Sequence, residues 1–295
     1  MSGPATAAPS ADWELDYYSR PVLEADGKKR WELLICSTPA FGNSRSAFRW
    51  VKVCPATSVN SIWLQEALAE ALTAAAAEGL AAPRRLRCWR ASMRTMVQRA
   101  ADAIGLETVP SRRCYALIEW LQEREQQVYA MEEGFMAGPL APAPLPPQAP
   151  AMLLPEAVRG DSWSWATLSV ADLREAAGWD VGFDGLVPLP AQLSDTASVP
   201  GIRVFSARRS LAIAGWVAGL EPVRLRLDAG ALVLEAGLEN SWLLGRLDPA
   251  EAEAAQQAFV AARDEAGGLQ FLAIQSDERS ERFEGFWLLR DLPAG

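Results

Sequence analysis

Alternation of apolar and polar residues opens the chain. Residues 13–18 (WELDYY) and 30–36 (RWELLIC) read as strands on either side of Glu24-Ala25-Asp26-Gly27, where Asp-Gly is a strong hairpin signal. Residues 48–54 (FRWVKVC) alternate and predict a third strand. The period then changes to that of a helix over 60–78, where Ile62, Leu64 and Leu68 mix with Glu66, Glu70 and Glu78 before Gly79 stops it. Residues 84–90 (RRLRCWR) predict a fourth strand, and a helix follows with Ser92 near its N-cap and Gly105 as its stop. A short strand near 107–109 and a helix over 115–131 complete the order βββαβαβα, that of a ribonuclease-H-like domain.

The second half begins with a strand over 162–169 (SWSWATLS) leading into a short helix over 170–177. Residues 178–200 read as a Gly/Pro-rich loop and 202–205 as a short strand. The helix over 207–220 is apolar for most of its circumference, which predicts burial. A hairpin over 223–227 and 231–234, a strand over 241–247, and a helix to residue 265 follow. Asp248 caps that helix, with Pro249 at N1 and Glu251 at N3. Strands over 269–275 and 284–290 end the pattern. The βββαβ order thus recurs, which suggests an internal duplication without detectable sequence identity.

Between the halves, residues 137–155 hold seven prolines. Proline fixes φ and removes the backbone donor, so a polyproline II spacer is expected rather than a helix or central strand. Pro144-Leu145-Pro146-Pro147 also has the composition of a ligand for aromatic grooves, a role weaker than that of linker. The expectation is an α/β (mixed α+β) protein of two domains. They are a disordered tail at 1–11, an α/β domain at 12–136, a Pro-rich linker at 137–155 and an α/β domain at 156–295. Each domain carries a mixed sheet in βββαβ order plus helices, ribonuclease-H-like.

Composition narrows the chemistry. No histidine occurs in the 295 residues, which removes Ser-His-Asp and Cys-His catalysis and His-ligated zinc. The four cysteines, at 36, 54, 88 and 114, form no Cys-x-x-Cys pair, and reduced, buried thiols in a cytoplasmic protein are expected. No apolar run approaches the length of a membrane span, and residues 1–11 lack the marks of a signal peptide. No phosphate-cradling glycine motif occurs. Neither cofactor nor metal is expected.

The net charge is −9, carried entirely by residues 151–295, whereas residues 84–113 hold eight arginines against Asp102 and Glu107. No matching acids lie near this cluster in sequence, so Arg84, Arg85, Arg87, Arg90 and Arg94 are candidate phosphate contacts. Strict alternation puts Arg85, Arg87 and Trp89 on one face. Arg49 beside Trp50, and Lys29 with Arg30 beside Trp31, offer similar pairs of cation and ring. The same tryptophans also suit a core over which arginine stems pack.

A metal-dependent nuclease needs converging carboxylates on two metal ions. Asp16 on the first strand fits the first ligand and Glu66 or Glu70 a second, but Arg90 follows the fourth strand where a third acid is needed. Lys52 lacks the paired acid of a restriction-nuclease site. The alternative reading puts Asp16 and Glu32 on exposed faces of alternating strands.

Residues 13–36, WELDYYSRPVLEADGKKRWELLIC, together with residues 283–293, FEGFWLLRDLP, resemble a family of cyanobacterial and plastid RNA-binding proteins. Its algal and plant members are A/U-rich RNA-binding translation factors required to make photosystem I reaction-centre protein from its messenger RNA. Trp287-Leu288-Leu289 is the family's other mark, read here either as core packing or as a contact with RNA or a partner. The absence of a transit peptide resembles a cyanobacterial member. The resemblance implies a non-catalytic protein that binds A/U-rich single-stranded messenger RNA and promotes translation of photosystem reaction-centre messages. Its further partners would be translation or photosystem-assembly proteins. A metal-dependent nuclease and a photosystem assembly factor acting through protein contacts are the alternatives.

Overall fold

The computed structural model describes residues 12–40, 45–136, 150–190 and 192–291, and the chain divides into two compact units, one holding the described residues up to 136 and one those from 150 on. The tail expected over 1–11 and most of the Pro-rich stretch, residues 137–149, lie outside the described residues.

In the first unit β1 (Trp13–Leu23), β2 (Lys29–Ser37) and β3 (Arg49–Cys54) form an antiparallel meander. The Asp26-Gly27 turn closes the first hairpin, with Gly27 at φ +78°. β4 (Leu86–Cys88) adds parallel to β1, and β5 (Thr108–Pro110) parallel to β4. The sheet order is β3-β2-β1-β4-β5. α1 (Ser61–Ala77) starts where the Asn60 side chain accepts from the Ile62 and Trp63 amides. It buries Leu64, Leu68 and three alanines, and together with α2 (Arg94–Asp102) covers one face of the sheet. α3 (Tyr115–Gln127) covers the other face, packing Leu117, Trp120 and Leu121 on Leu34 and Cys36. β4 is shorter than the strand expected over 84–90, because β1 pairs with it only from Trp13 opposite Leu86 to Leu15 opposite Cys88. A 3-10 turn over Ala91–Met93 then leads into α2, so Ser92 is not its cap.

The second unit has two sheets. β10 (Pro222–Asp228), β11 (Ala231–Ala236) and β12 (Asn240–Arg246) form a meander joined by β6 (Met152–Leu153), which runs parallel to β12. The residues expected to end the linker thus pair within this unit. The other sheet has the order β7-β9-β13-β14-β8, from β7 (Ser162–Ser169), β8 (Val181–Gly185), β9 (Ser198–Phe205), β13 (Leu269–Gln275) and β14 (Phe283–Arg290). α4 (Val170–Arg174), α5 (Ser210–Ala218) and α6 (Pro249–Glu265) complete the unit.

The mixed α/β class holds in both units, but the duplication does not. The meander β10–β12 lies in one sheet, whereas β13, which would continue the repeat, lies in the other between β9 and β14. Every residue of β13 (LQFLAIQ) is buried, which requires a neighbour on each side and cover on both faces. β8 lies in the segment read as loop, held by parallel pairing to β14. α5 is buried on one side only, with Leu211 59% exposed on the other.

Candidate nucleic-acid interface

The site begins with the alternation of β1. Trp13, Leu15 and Tyr17 point into the core under α1 and α2, so Glu14 and Asp16 point to the face that α3 covers. Asp16 and Glu32 are each only 1% exposed, which overturns the reading of both as exposed-face residues. Alternation assigns a side chain to a face, and the cover over that face comes from a helix almost a hundred residues later.

Burial forces these carboxylates to find partners. Asp16 Oδ2 accepts from Arg20 Nη1 at 2.6 Å and from Arg90 Nη2 at 3.3 Å. Its Oδ1 accepts from Trp89 Nε1 at 3.0 Å and from Arg90 Nε. Burial raises the Asp16 pKa, but Arg20 and Arg90 outweigh it and hold the carboxyl below its usual value. Glu32 accepts from the Tyr129 hydroxyl at 2.6 Å and from Arg124 at 3.2 Å. Glu14 accepts from the Leu117 amide in the first turn of α3 and from Thr38 Oγ1, both at 2.8 Å. Burial nevertheless pushes the Glu14 carboxyl up to about 7, against those two hydrogen bonds and the nearby Arg87.

Among the described residues the carboxylates named for a nuclease centre do not converge. Both oxygens of Asp16 are engaged by cationic or indole donors, and Arg90 occupies the position after β4 where an acid is required. Glu66 and Glu70 lie exposed on α1, across the sheet from Asp16, and Glu70 pairs with Lys52 at 2.6 Å. No group of three His, Cys, Asp or Glu among the described residues is placed to hold a metal ion.

The arginine cluster is largely neutralised from within. Arg84, Arg85 and Arg87 reach the single carboxylate of Asp12 at 3.2, 2.9 and 2.8 Å, and Arg90 reaches Asp16. These acids lie some seventy residues earlier and arrive by the parallel pairing of β1 with β4. Arg87 and Arg90 are buried and are not surface phosphate contacts, which corrects the expectation for both. Trp89 is half-buried and packs against the α3 core. Arg49 pairs with Glu123 at 2.8 Å over the Trp120 ring, and Arg30 bridges Glu24 and Glu132 at 2.6 and 3.0 Å. Arg84 stays 65% exposed despite its pairing.

Arg94 and Lys29 are exposed and make no ion pair among the described residues. Arg99, outside the sequence-based set, has the same standing on α2. Its signal was available, since it lies five residues beyond Arg94 on a helix whose only acid is Asp102.

Trp287, Leu288 and Leu289 are buried in β14, the tryptophan over Gly285 and against the core shared by α5 and β13. They are core, not a contact surface. The four cysteines are free and buried, and burial raises their thiol pKa values, that of Cys88 to about 11. No helix among the described residues is long and apolar enough to cross a membrane.

Comparison with known proteins matches both units. A model of the N-terminal domain of the RNA-binding protein Tab2/Atab2 matches residues 12–124, and a model of its C-terminal domain matches residues 141–290. A Zea mays protein named "Protein TAB2 homolog, chloroplastic" is 37% identical over 292 residues, covering 96% of this chain and 72% of its own length. An Arabidopsis thaliana protein of the same name is 34% identical over 292 residues, covering 96% of this chain and 75% of its own.

Proposed function

The chain belongs to the Tab2/Atab2 family of RNA-binding proteins, and on that premise we propose that it binds A/U-rich single-stranded messenger RNA and promotes translation of photosystem reaction-centre subunits without catalysing a reaction. The observation that carries the reading is how the first unit distributes its charges. Its central carboxylate is saturated by Arg20, Arg90 and Trp89, which supports binding without cleavage, while Arg94, Arg99 and Lys29 are exposed and make no ion pair among the described residues. Exposed, unpaired cations release counterions when they meet phosphate, and buried, paired ones do not. The second unit is net −9 over residues 151–295, and its exposed Arg208, Arg246 and Arg279, which make no ion pair among the described residues, stand in that acidic background. Unpaired thiols suit a reducing compartment, and the proposed location is the cytoplasm.

The test is a titration of the full chain with A/U-rich and G/C-rich single-stranded RNA at several salt concentrations, with and without Mg²⁺. Tighter binding of the A/U-rich strand, with a log–log salt slope matching ~3–5 phosphates, supports the reading. Equal affinity for the two strands removes the A/U preference. Mg²⁺-dependent cleavage, or no binding at micromolar protein, overturns the reading.

A second reading, docking to translation or photosystem-assembly proteins, is favoured by one feature of the second unit. Leu211 on α5 and Phe183 on β8 are 59% and 37% exposed, and Phe183 packs beside Gly215 of the same helix. Their replacement by glutamate is expected to leave RNA affinity unchanged while abolishing recovery of such a partner.

A further inference from the structure

We infer that Tyr18, Trp31 and Trp89, with Arg90 fixed among them, form a stacking site for unpaired bases of single-stranded RNA. The inference rests on the RNA-binding reading and gives it a place. The Arg90 guanidinium lies 4.1 Å from the centre of the Tyr18 ring and 4.4 Å from that of Trp89. Tyr18 lies 5.6 Å from Trp31, its ring tilted by 56°. The three rings are half-buried, so each keeps part of its surface open to solvent, whereas Arg90 is only 4% exposed.

Three observations point to a ligand rather than to packing alone. Arg90 Nη1 is buried and has no hydrogen-bond partner. A buried donor left unsatisfied is uncommon, and an ordered water or an arriving polar group would satisfy it. The Tyr18 hydroxyl makes no hydrogen bond among the described residues. Lys29, two residues before Trp31, and Arg94, four residues after Arg90, are also exposed and make no ion pair among the described residues. Rings and guanidinium planes bind bases by their faces, and flanking cations hold the phosphates between them.

Asp16 explains why the row is ordered. It holds Arg90 through both Nε and Nη2 and Trp89 through its indole N–H, so one buried carboxylate sets two members of the row. A metal-dependent nuclease on this sheet order would use the carboxylate for an ion. Here it orients a guanidinium and an indole.

The experiment is photocrosslinking of the full chain to single-stranded oligouridine carrying 5-iodouridine, followed by digestion and mass spectrometry. Adducts on peptides containing Tyr18, Trp31 or Trp89 are expected. RNA that binds but crosslinks only elsewhere overturns this site and leaves the RNA-binding reading standing. RNA that does not bind at all overturns both. Tyr18→Leu is expected to weaken binding about 5- to 150-fold, the loss of one stacked base, while Tyr18→Phe keeps the ring and stays near wild type. Unchanged affinity in a folded Tyr18→Leu protein overturns the site.

Discussion

The middle strands of the two five-stranded sheets, β1 and β13, are both buried along most of their length, yet their contents differ. β13 is apolar apart from Gln270 and Gln275, whereas β1 carries Glu14, Asp16 and Arg20 into the interior. A strand shaped by stability alone has no reason to bury three ionisable groups, because each costs several kcal/mol of desolvation before any partner is found. β1 retains them within a network of Arg90, Glu32, Arg124 and Tyr129, beside the half-open rings of Tyr18 and Trp89. The contrast separates a sheet centre organised around polar groups from one organised around packing.

The contrast breaks most sharply at Asp16. Asp16→Ala strands Arg20 and Arg90 in the interior and is expected to destabilise the first unit by about 3–5 kcal/mol in urea unfolding. A neutral result would mean that the buried ions are not what holds this centre. In the other sheet, Leu272→Ala removes only packing and is expected to lose about 2–5 kcal/mol. Its RNA affinity should stay at the wild-type value, and a parallel loss of binding would erase the distinction between the two centres.

Acidity offers a milder probe. Folding raises the Glu14 carboxyl from its ordinary value of 4.5 to about 7. Between those values the unfolded chain releases its proton while the folded chain keeps it. The contribution of Glu14 is therefore full below about 4.5 and is lost as the pH rises to about 7, by roughly 3 kcal/mol in all. Glu14→Gln should flatten this limb of the stability profile, and an unchanged limb would move its origin away from Glu14. Asp12 and Asp16, both lowered, act in the opposite sense, with stability lost as the pH falls below the usual carboxylate range. The smallest effect is expected at the surface. Arg94→Glu with Arg99→Glu should leave stability almost unchanged and reduce the log–log salt slope of RNA binding by about 1.4, two phosphates' worth on a single strand. An unaltered slope would move the phosphate contacts off α2.

Much of the fold was legible along the chain. The Asp26-Gly27 hairpin, α1 with its stop at Gly79, α6 with its Asp248 cap and Pro249, and the extent of β13 all follow from local period and turn chemistry. β8 was not legible, because VGFDG has neither period and is a strand only by pairing with β14. The missing repeat has the same cause, since element order does not say which sheet a strand joins. The candidate site was half legible. Arg94 and Lys29 stand exposed, but Arg85, Arg87 and Arg90 are engaged by Asp12 and Asp16 from a strand seventy residues away. Arg99 stands apart from the dense run of arginines at 84–94, and only its place on the exposed side of α2 gives it the same standing as Arg94.

The sequence by itself determined the element types, the division into two halves, the absence of histidine chemistry and, through the segments at 13–36 and 283–293, the resemblance to an RNA-binding family. Only the tertiary structure decided which charges are spent inside, which rings stay open beside Arg90, and that Trp287-Leu288-Leu289 is core. The reason is one of range. Period and capping are set by neighbours within a few residues, whereas the freedom of a charge depends on a partner that strand pairing brings from far along the chain.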